Sequence, residues 1–472
     1  MRLAGVGAYA PRFRLSGDAV ADALGRFRAR GVDSVAVPDA DEDALTMAAE
    51  AGERALDAAG VEVDEIDALY LASTTLPYDE EAGAGRLGSL LDLGEATRSA
   101  QFGGSTDAGG EALAAALDGD DHALVVASDA PRGAFDEAIG HAAGAGAAAI
   151  VVAPDGPGRI AGRSAATTTY PGTRFRERGD SETTGLGVTS YDRQAYRETV
   201  ASAVDGLDAP ENADAAALHA PDGDLPYRAA GALGVETDAV TEGIVARRLG
   251  DTGAASALLG LAGALDDGAE DVLVATYGSG GAAHAFRVRA ERDVPVDAAL
   301  SGDRTLDFAA ARRRAGAFDS GTPEGGGAYV SVPSFRRTLA QRHRLVAGEC
   351  VACGSLCFPA EGACTDCGAR EGYDDAPLSR RGIVEASTTI SQGGAPPEFV
   401  PQQARAGEYA SAIVAFEGPD GGRASVPLQV VLAGESTPEI GDEVVAVPRL
   451  LYEQEGVRRY GLKGVPATEN RR

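Results

Sequence analysis

All five cysteines of this chain lie between Cys350 and Cys367, and no other feature limits the fold as sharply. The segment CVACGSLCFPAEGACTDCG contains Cys350-x2-Cys353-Gly and Cys364-x2-Cys367-Gly. Each pair can wrap one edge of a tetrahedral ion, and the glycine that follows allows the tight turn that aims backbone amides at sulfur. Four thiolates close the coordination shell and leave no open position for water or substrate. The expected ion is therefore a structural zinc whose binding energy helps to fold a segment too small for a core of its own. Disulfides do not suit a reducing compartment, and iron–sulfur clusters usually use other ligand spacings. Cys357, the odd thiol, is expected to pack as a small apolar residue.

The cysteine cluster also divides the chain, because the 349 residues before it contain no thiol. DSGTPEGGGAYVSVPS, beginning at residue 319, is rich in Gly, Pro and Ser and reads as a linker, assigned to 319–333. Before it, over 1–318, helical and strand patterns alternate. DEDALTMAAEAGERALDAAG has apolar residues at helical spacing and stops on Gly60, while DALYLAST and HALVVASD are short apolar strands, so an α/β domain is expected. HALVVASDAPR leading to HAAGAGAAAIVVA is echoed by DVLVATYGSGGAAHAFRVR, which suggests an internal duplication. After the linker come a short helix with the cysteine segment (334–380) and alternating strands separated by Gly and Pro (381–467), which suit a small antiparallel barrel; 468–472 is a tail.

Acidic residues outnumber basic ones 72 to 42, and Lys463 is the only lysine. A net charge of −30 argues against nucleic-acid binding, which needs a basic surface. The acids are scattered, as on a solvated acidic coat, and this Asp-rich, Lys-poor balance resembles the proteins of extreme halophiles. No apolar run approaches the ~18 residues of a membrane span, and the N-terminus lacks a signal-peptide core, so a cytoplasmic location with no membrane partner is expected.

GVGAYAPRFRL, LYLASTTLPY, VVASDAPR, GAGAAAIVV, LHAPDGDLPYRAAG, RRLGDTGAASALLGLAGAL and YGSGGAAHAF, in that order, resemble the 3-hydroxy-3-methylglutaryl-CoA synthase branch of the thiolase superfamily in its archaeal form. VPSFRRTLAQRHRL, the paired Cys motifs and EIGDEVVAVPRLLYEQEGVRRYGLKGVP resemble the zinc-ribbon and OB-fold proteins that accompany archaeal thiolases and these synthases. The resemblance implies a duplicated, five-layer thiolase-like α/β core, then a rubredoxin-like zinc ribbon and an OB-fold barrel. It also implies a coenzyme A thioester as ligand or substrate, a homodimer formed through the first domain, and a separate thiolase as an allowed partner.

Chemistry in that branch uses a thiolate at a helix N-terminus, a carboxylate base, and a His with an Asn at the oxyanions. Matched onto this chain, the nucleophile position falls in QFGGSTDAGG on Phe102, or on Gly103 with a one-residue slip. The base position carries Thr74, the Asn position carries Asp251, and His219 alone stands as the pattern asks. Ser105 and Thr106 are expected to cap the helix running through Glu111. His219 and Asp251 are the candidate catalytic pair, as an ion pair or acid/base couple. The resemblance also implies that Gly278, Gly280 and Gly281 line the CoA and acyl channel, and Arg228, Arg247 and Arg248 are candidates for CoA phosphates. His122, His141, His284 and His343 are assigned no role. The reading that follows is an acyl-CoA-binding protein lacking the nucleophilic cysteine, acting as a scaffold or channelling partner or in a cysteine-independent step. The alternative is a condensing acyltransferase with a displaced or partner-supplied nucleophile.

Overall fold

The helix expected to stop at Gly60 spans Ala44–Ala59, and its ends follow from local chemistry. Asp43 accepts from the amides of Leu45 and Thr46 while the Thr46 hydroxyl accepts from the Asp43 amide, and Gly60 closes the helix in the left-handed region at φ 61°. Twelve of its residues, Ala44 through Leu56 except Glu53, are buried. It lies so close on strand Arg2–Tyr9 that a Cβ at Gly7 would sit 2.2 Å from the Ala51 carbonyl oxygen.

The computed structural model describes residues 1–208, 212–319, 336–391, 393–430 and 437–467. Of the expected linker 319–333, residues 320–333 lie outside the described residues, as does the tail 468–472. The chain forms two units, Met1–Ala311 and Arg312–Arg472.

In the first unit, strands Arg98–Phe102, Ala68–Ala72, Ala123–Asp129, Gly146–Ala153 and Arg2–Tyr9 lie side by side in that order. Strands Gly158–Tyr170, Gly280–Ala290, Asp271–Ala275 and Ala215–Leu218 continue the path. The two halves of the sheet are joined by a short strand pairing, Arg2 with Arg159 and Leu3 with Gly158, which lets the sheet fold over on itself. Helices Ala108–Leu117 and Ser256–Asp266 fill the space between the halves, and their Leu113, Leu258, Leu259 and Leu261 share one fully buried core with Val125, Ile150, Val274 and Phe286. Helix Ala44–Ala59 covers the outer face of the first half, and Thr189–Val204, Leu225–Leu233 and Thr237–Gly243 cover the second over a separate core around Tyr196 and Leu273. These layers make the thiolase-like α/β arrangement. The hairpin Ala123–Asp129/Gly146–Ala153 and its counterpart Asp271–Ala275/Gly280–Ala290 are the two segments whose sequences echo one another.

In the second unit, helix Leu339–Arg344 leads into a three-stranded sheet with Val346–Cys350 between Leu356–Cys357 and Tyr373–Pro377. Five strands, Arg381–Ile390, Tyr409–Glu417, Arg423–Val430, Glu443–Gln454 and Val457–Pro466, close into a barrel. Inward residues Val384, Val414, Phe416, Val426 and Val444 fill it, and Leu345, Ala347 and Leu378 from the base of the ribbon join the same cluster. Among the described residues no helix is long and apolar enough to cross a membrane.

Candidate functional site

The turn that joins strand Arg98–Phe102 to helix Ala108–Leu117 lies against the glycine turn of the second half. Phe102 ends its strand with the ring 6.1 Å from that of Tyr70, and it packs on the central core. A Cβ on Gly103 would come within 3.0 Å of the Ser73 carbonyl oxygen. Gly104, at φ 87°, is the residue that turns the chain, and a Cβ there would meet nothing within 4 Å. The expected hydroxyl caps do not form. The Thr106 hydroxyl donates to the Tyr277 carbonyl at 2.7 Å, Ser105 Oγ reaches only the Asp107 amide at 3.4 Å, and Asp107 takes the cap position without a side-chain cap bond. Docking on the second half outweighs capping because it satisfies a buried carbonyl. Gly278 is what allows this approach: a Cβ there would lie 2.4 Å from Ser105 Oγ and 2.8 Å from the Asp107 Cβ. Gly280 and Gly281, at φ 96° and 106°, complete the turn.

Asp107 is fully buried and bridges the halves. Its carboxylate accepts from the Thr276 hydroxyl at 2.5 Å, the His284 amide at 3.1 Å and His284 Nδ1 at 2.9 Å. Burial opposes protonation of His284, but the hydrogen bond and charge of Asp107, with Glu111 one turn along the helix, together raise its pKa. Burial and Asp107 in turn raise the pKa of Glu111. His284 ends the small-residue run of YGSGGAAHAF, a stretch in which the sequence assigns it no role, and Asp107 follows a similar run at the corresponding turn.

Thr74 is committed elsewhere. Buried Asp129 accepts from the hydroxyls of Ser73, Thr74 and Thr75 at 2.8 to 2.9 Å and from the amides of Thr74 and Ala254 at 2.7 Å. With its hydroxyl donating to a carboxylate, Thr74 takes no proton from a substrate. Its carbonyl accepts from Arg176.

His219 is buried, donates its amide to the Ala275 carbonyl and accepts from the Tyr196 hydroxyl at its own carbonyl. Its ring lies 6.2 Å from that of Tyr277, and Nδ1 has no partner. Burial, reinforced by the charge of Arg174, lowers its pKa to about 3, so the imidazole is neutral. Among the described residues no ion pair or hydrogen bond joins His219 to Asp251. Asp251 pairs instead with Arg174 and accepts the Gly253 amide at 2.9 Å. A carboxylate buried this deeply needs a permanent cation, which a guanidinium supplies and a neutral imidazole does not. Burial lowers the Arg174 pKa to about 10, which leaves it charged. Arg174 and Arg176 come from the connection after strand Gly158–Tyr170, and no motif marked them.

The other candidate arginines are at the surface. Arg228 pairs with Asp224 at 3.2 Å on its own helix, and Arg247 pairs with Asp33 at 2.7 Å. The segment Arg26–Asp33 runs alongside, with Gly223 donating to the Arg30 carbonyl and Asp33 to that of Arg247, both at 2.8 Å. Exposed Arg26, Arg28 and Arg30 make no salt bridge among the described residues.

In the second unit, Cys350, Cys353, Cys364 and Cys367 bring their sulfurs within 4.8 Å of one another. Sulfurs bound to zinc at ~2.3 Å in a tetrahedron stand about 3.8 Å apart. Cys350–Cys367 at 3.8 Å and Cys353–Cys364 at 3.7 Å match that edge, so the donor set fits the ion. The Cys353 and Gly354 amides turn back to the Cys350 carbonyl and the Gly368 amide to that of Cys364, which shapes the two knuckles. The ion so held would be structural, with no position left for a substrate.

Residues 337–371 match the ChsH2 rubredoxin-like zinc ribbon domain. The chain is 29% identical over 303 residues to hydroxymethylglutaryl-CoA synthase of Archaeoglobus fulgidus, covering 60% of this chain and 87% of that protein. It is 32% identical over 301 residues to the hydroxymethylglutaryl-CoA synthase of Pyrobaculum neutrophilum, covering 59% and 84%. Among solved structures, an HMG-CoA synthase complexed with CoA superimposes with a TM-score of 0.60 at 19% identity, over 70% of this chain and 94% of that one. MvaS in complex with 3-hydroxy-3-methylglutaryl coenzyme A gives 0.56 at 20% identity, over 70% and 94%.

Proposed function

The chain belongs to the hydroxymethylglutaryl-CoA synthase family, and from that premise we propose that its first unit binds an acyl-CoA thioester without forming an acyl-enzyme. The observation that carries this reading is the turn before helix Ala108–Leu117. Gly104 stands where a side chain would enter open space at the helix N-terminus, and no cysteine occurs before Cys350. We assign the vacated nucleophile position to Gly104, because Phe102 is a packing residue and Gly103 faces the Ser73 carbonyl.

The remaining groups suit holding rather than transfer. Neutral His219, its ring also held by the Gly253 backbone, keeps Nδ1 unpartnered and so offers one ring nitrogen to a polar group of the ligand. Asp251 has each carboxylate oxygen engaged, by Arg174 and by the Gly253 amide, which suits it to positioning its neighbours. The glycine turn Gly278–Gly281 supplies a wall without side chains for a pantetheine arm, and Arg228, Arg247 and Arg248, extended by Arg26, Arg28 and Arg30, supply cations for the CoA phosphates. A chain with this site serves as a scaffold or channelling partner beside an active thiolase-fold enzyme. Strand Arg98–Phe102, at one edge of the sheet with exposed Arg98, Ser99 and Gln101, is where a second copy would add its own edge.

Calorimetry with CoA and mass spectrometry after incubation with acetyl-CoA test this together. The expected result is binding heat with no acetyl group on residues 1–311 and no hydroxymethylglutaryl-CoA formed when acetoacetyl-CoA is added. An acetyl adduct on that unit, or turnover, overturns the reading in favour of a displaced or partner-supplied nucleophile. Absence of binding heat overturns it in favour of a purely architectural role.

A further inference from the structure

The fifth cysteine stands apart from the four that fit the ion, yet touches one of them. Cys357 lies on the two-residue strand Leu356–Cys357, is buried, and directs its thiol at the Cys364 sulfur, 3.9 Å away. It is not among the four sulfurs that lie within 4.8 Å of one another, so it sits behind Cys364 rather than at a fifth corner. Thr365 Oγ1 lies 3.6 Å from the same thiol. The Tyr373 hydroxyl is turned toward Cys357, and the Tyr373 ring packs on the cluster of Cys350, Cys357 and Cys364.

A small apolar residue would fill this space as well, and the thiol adds one thing: a polarisable donor facing a sulfur that becomes a thiolate ligand. Thiolates in closed zinc sites carry charge that backbone amides and other donors spread, and such outer partners tune how firmly the ion is held. The knuckle amides turn back to the carbonyls of Cys350 and Cys364, and of these two sulfurs Cys364 is the one that the Cys357 thiol faces.

We propose that Cys357 is a positioning residue of the zinc ribbon, donating an S–H···S hydrogen bond to the Cys364 ligand and thereby slowing loss of the ion. This is independent of what the first unit binds. No bond is made or broken and no oxidant is required; the thiol keeps its proton and shares it with the neighbouring sulfur.

The test uses the full chain loaded with one equivalent of zinc and challenged with a chromogenic chelator, with cobalt-substituted protein read by its sulfur-to-metal absorption band. Cys357→Ala is expected to release zinc about tenfold faster, the lower end of the effect of removing an outer partner, and to shift the cobalt band while keeping its four-thiolate intensity. Cys357→Ser, which keeps a donor in the same place, is expected to release zinc more slowly than Cys357→Ala. It serves as the measurement if the alanine chain loses the ribbon fold by circular dichroism, where an unchanged rate and band in the serine chain relative to a Cys357→Val chain overturns the proposal. Unchanged release and an unchanged band in Cys357→Ala overturn it, and so does a cobalt band reduced to three-thiolate intensity, which would make Cys357 itself a ligand.

Discussion

The two units solve the problem of staying folded in opposite ways. Residues 1–311 carry 52 acidic and 24 basic side chains, while residues 312–472 carry 20 and 18, so nearly all of the −30 net charge belongs to the first unit. The first unit has a continuous apolar core large enough to tolerate self-repulsion on its surface, and it also buries Asp107, Asp129 and Asp251 at the seam between its halves. The ribbon of the second unit has only a small buried cluster of its own, Cys350, Cys357 and Cys364, beside the Leu345, Ala347 and Leu378 that join the barrel core, and a bound ion would supply the rest of its cohesion. Size decides which device is available: burial scales with the chain enclosed, and a metal replaces it where the chain is too short.

The sharpest way to break this contrast is to remove zinc. Structural zinc in small domains is worth ~10–16 kcal/mol, so chelation, or Cys350→Ser, is expected to unfold the ribbon while the first unit keeps its protection, as read by hydrogen exchange on residues 346–377 against residues 123–153. Uniform protection in both after chelation would erase the distinction. Second in size is the buried pair at the seam. Arg174→Ala leaves Asp251 without its cation and is expected to cost about 3–5 kcal/mol in denaturant unfolding of the first unit, with Arg174→Met/Asp251→Leu costing less than the single change because no charge is stranded.

The Asp107–His284 contact should contribute less and should depend on pH. His284 has a raised pKa in the folded chain, so the stability it adds is fully present below the ordinary histidine value of about 6.5 and is lost as pH rises through the raised value. Asp107→Asn is expected to cost about 1.5–3 kcal/mol at low pH, with the gap to the parent chain closing as pH rises over that window. His219 runs the other way: its lowered pKa favours the fold while the ring is neutral, and that contribution fades as pH falls below about 6.5. The smallest expected effect is that of salt. Screening shortens from ~10 Å at 0.1 M to ~3 Å at 1 M, which should raise the melting temperature of the first unit by a few degrees, on the order of 1 kcal/mol, and leave the near-neutral second unit unmoved.

Much of this was legible in the text. Asp43 and Gly60 mark their helix because a cap and a stop are local chemistry, settled within a few residues. The zinc ligands are legible for the same reason: each Cys-x2-Cys-Gly knuckle is complete in itself. The seam was legible only in part. His219, Asp251 and the glycine turn could be located by resemblance, but not the fact that Asp251 answers to Arg174 from a connection 77 residues away. Nor could the text show that Thr106 would forgo its cap for the Tyr277 carbonyl, or that His284 would close on Asp107.

By itself the sequence determined the order of an α/β unit, a ribbon and a barrel, the metal ligands, and the lack of a thiol before Cys350. Those depend on residue type and on spacings along the chain. Only the tertiary structure decided which buried acid meets which cation and which glycine faces open space. A carboxylate deep in a core takes the nearest permanent positive charge, and nearness there is set by how two distant halves pack.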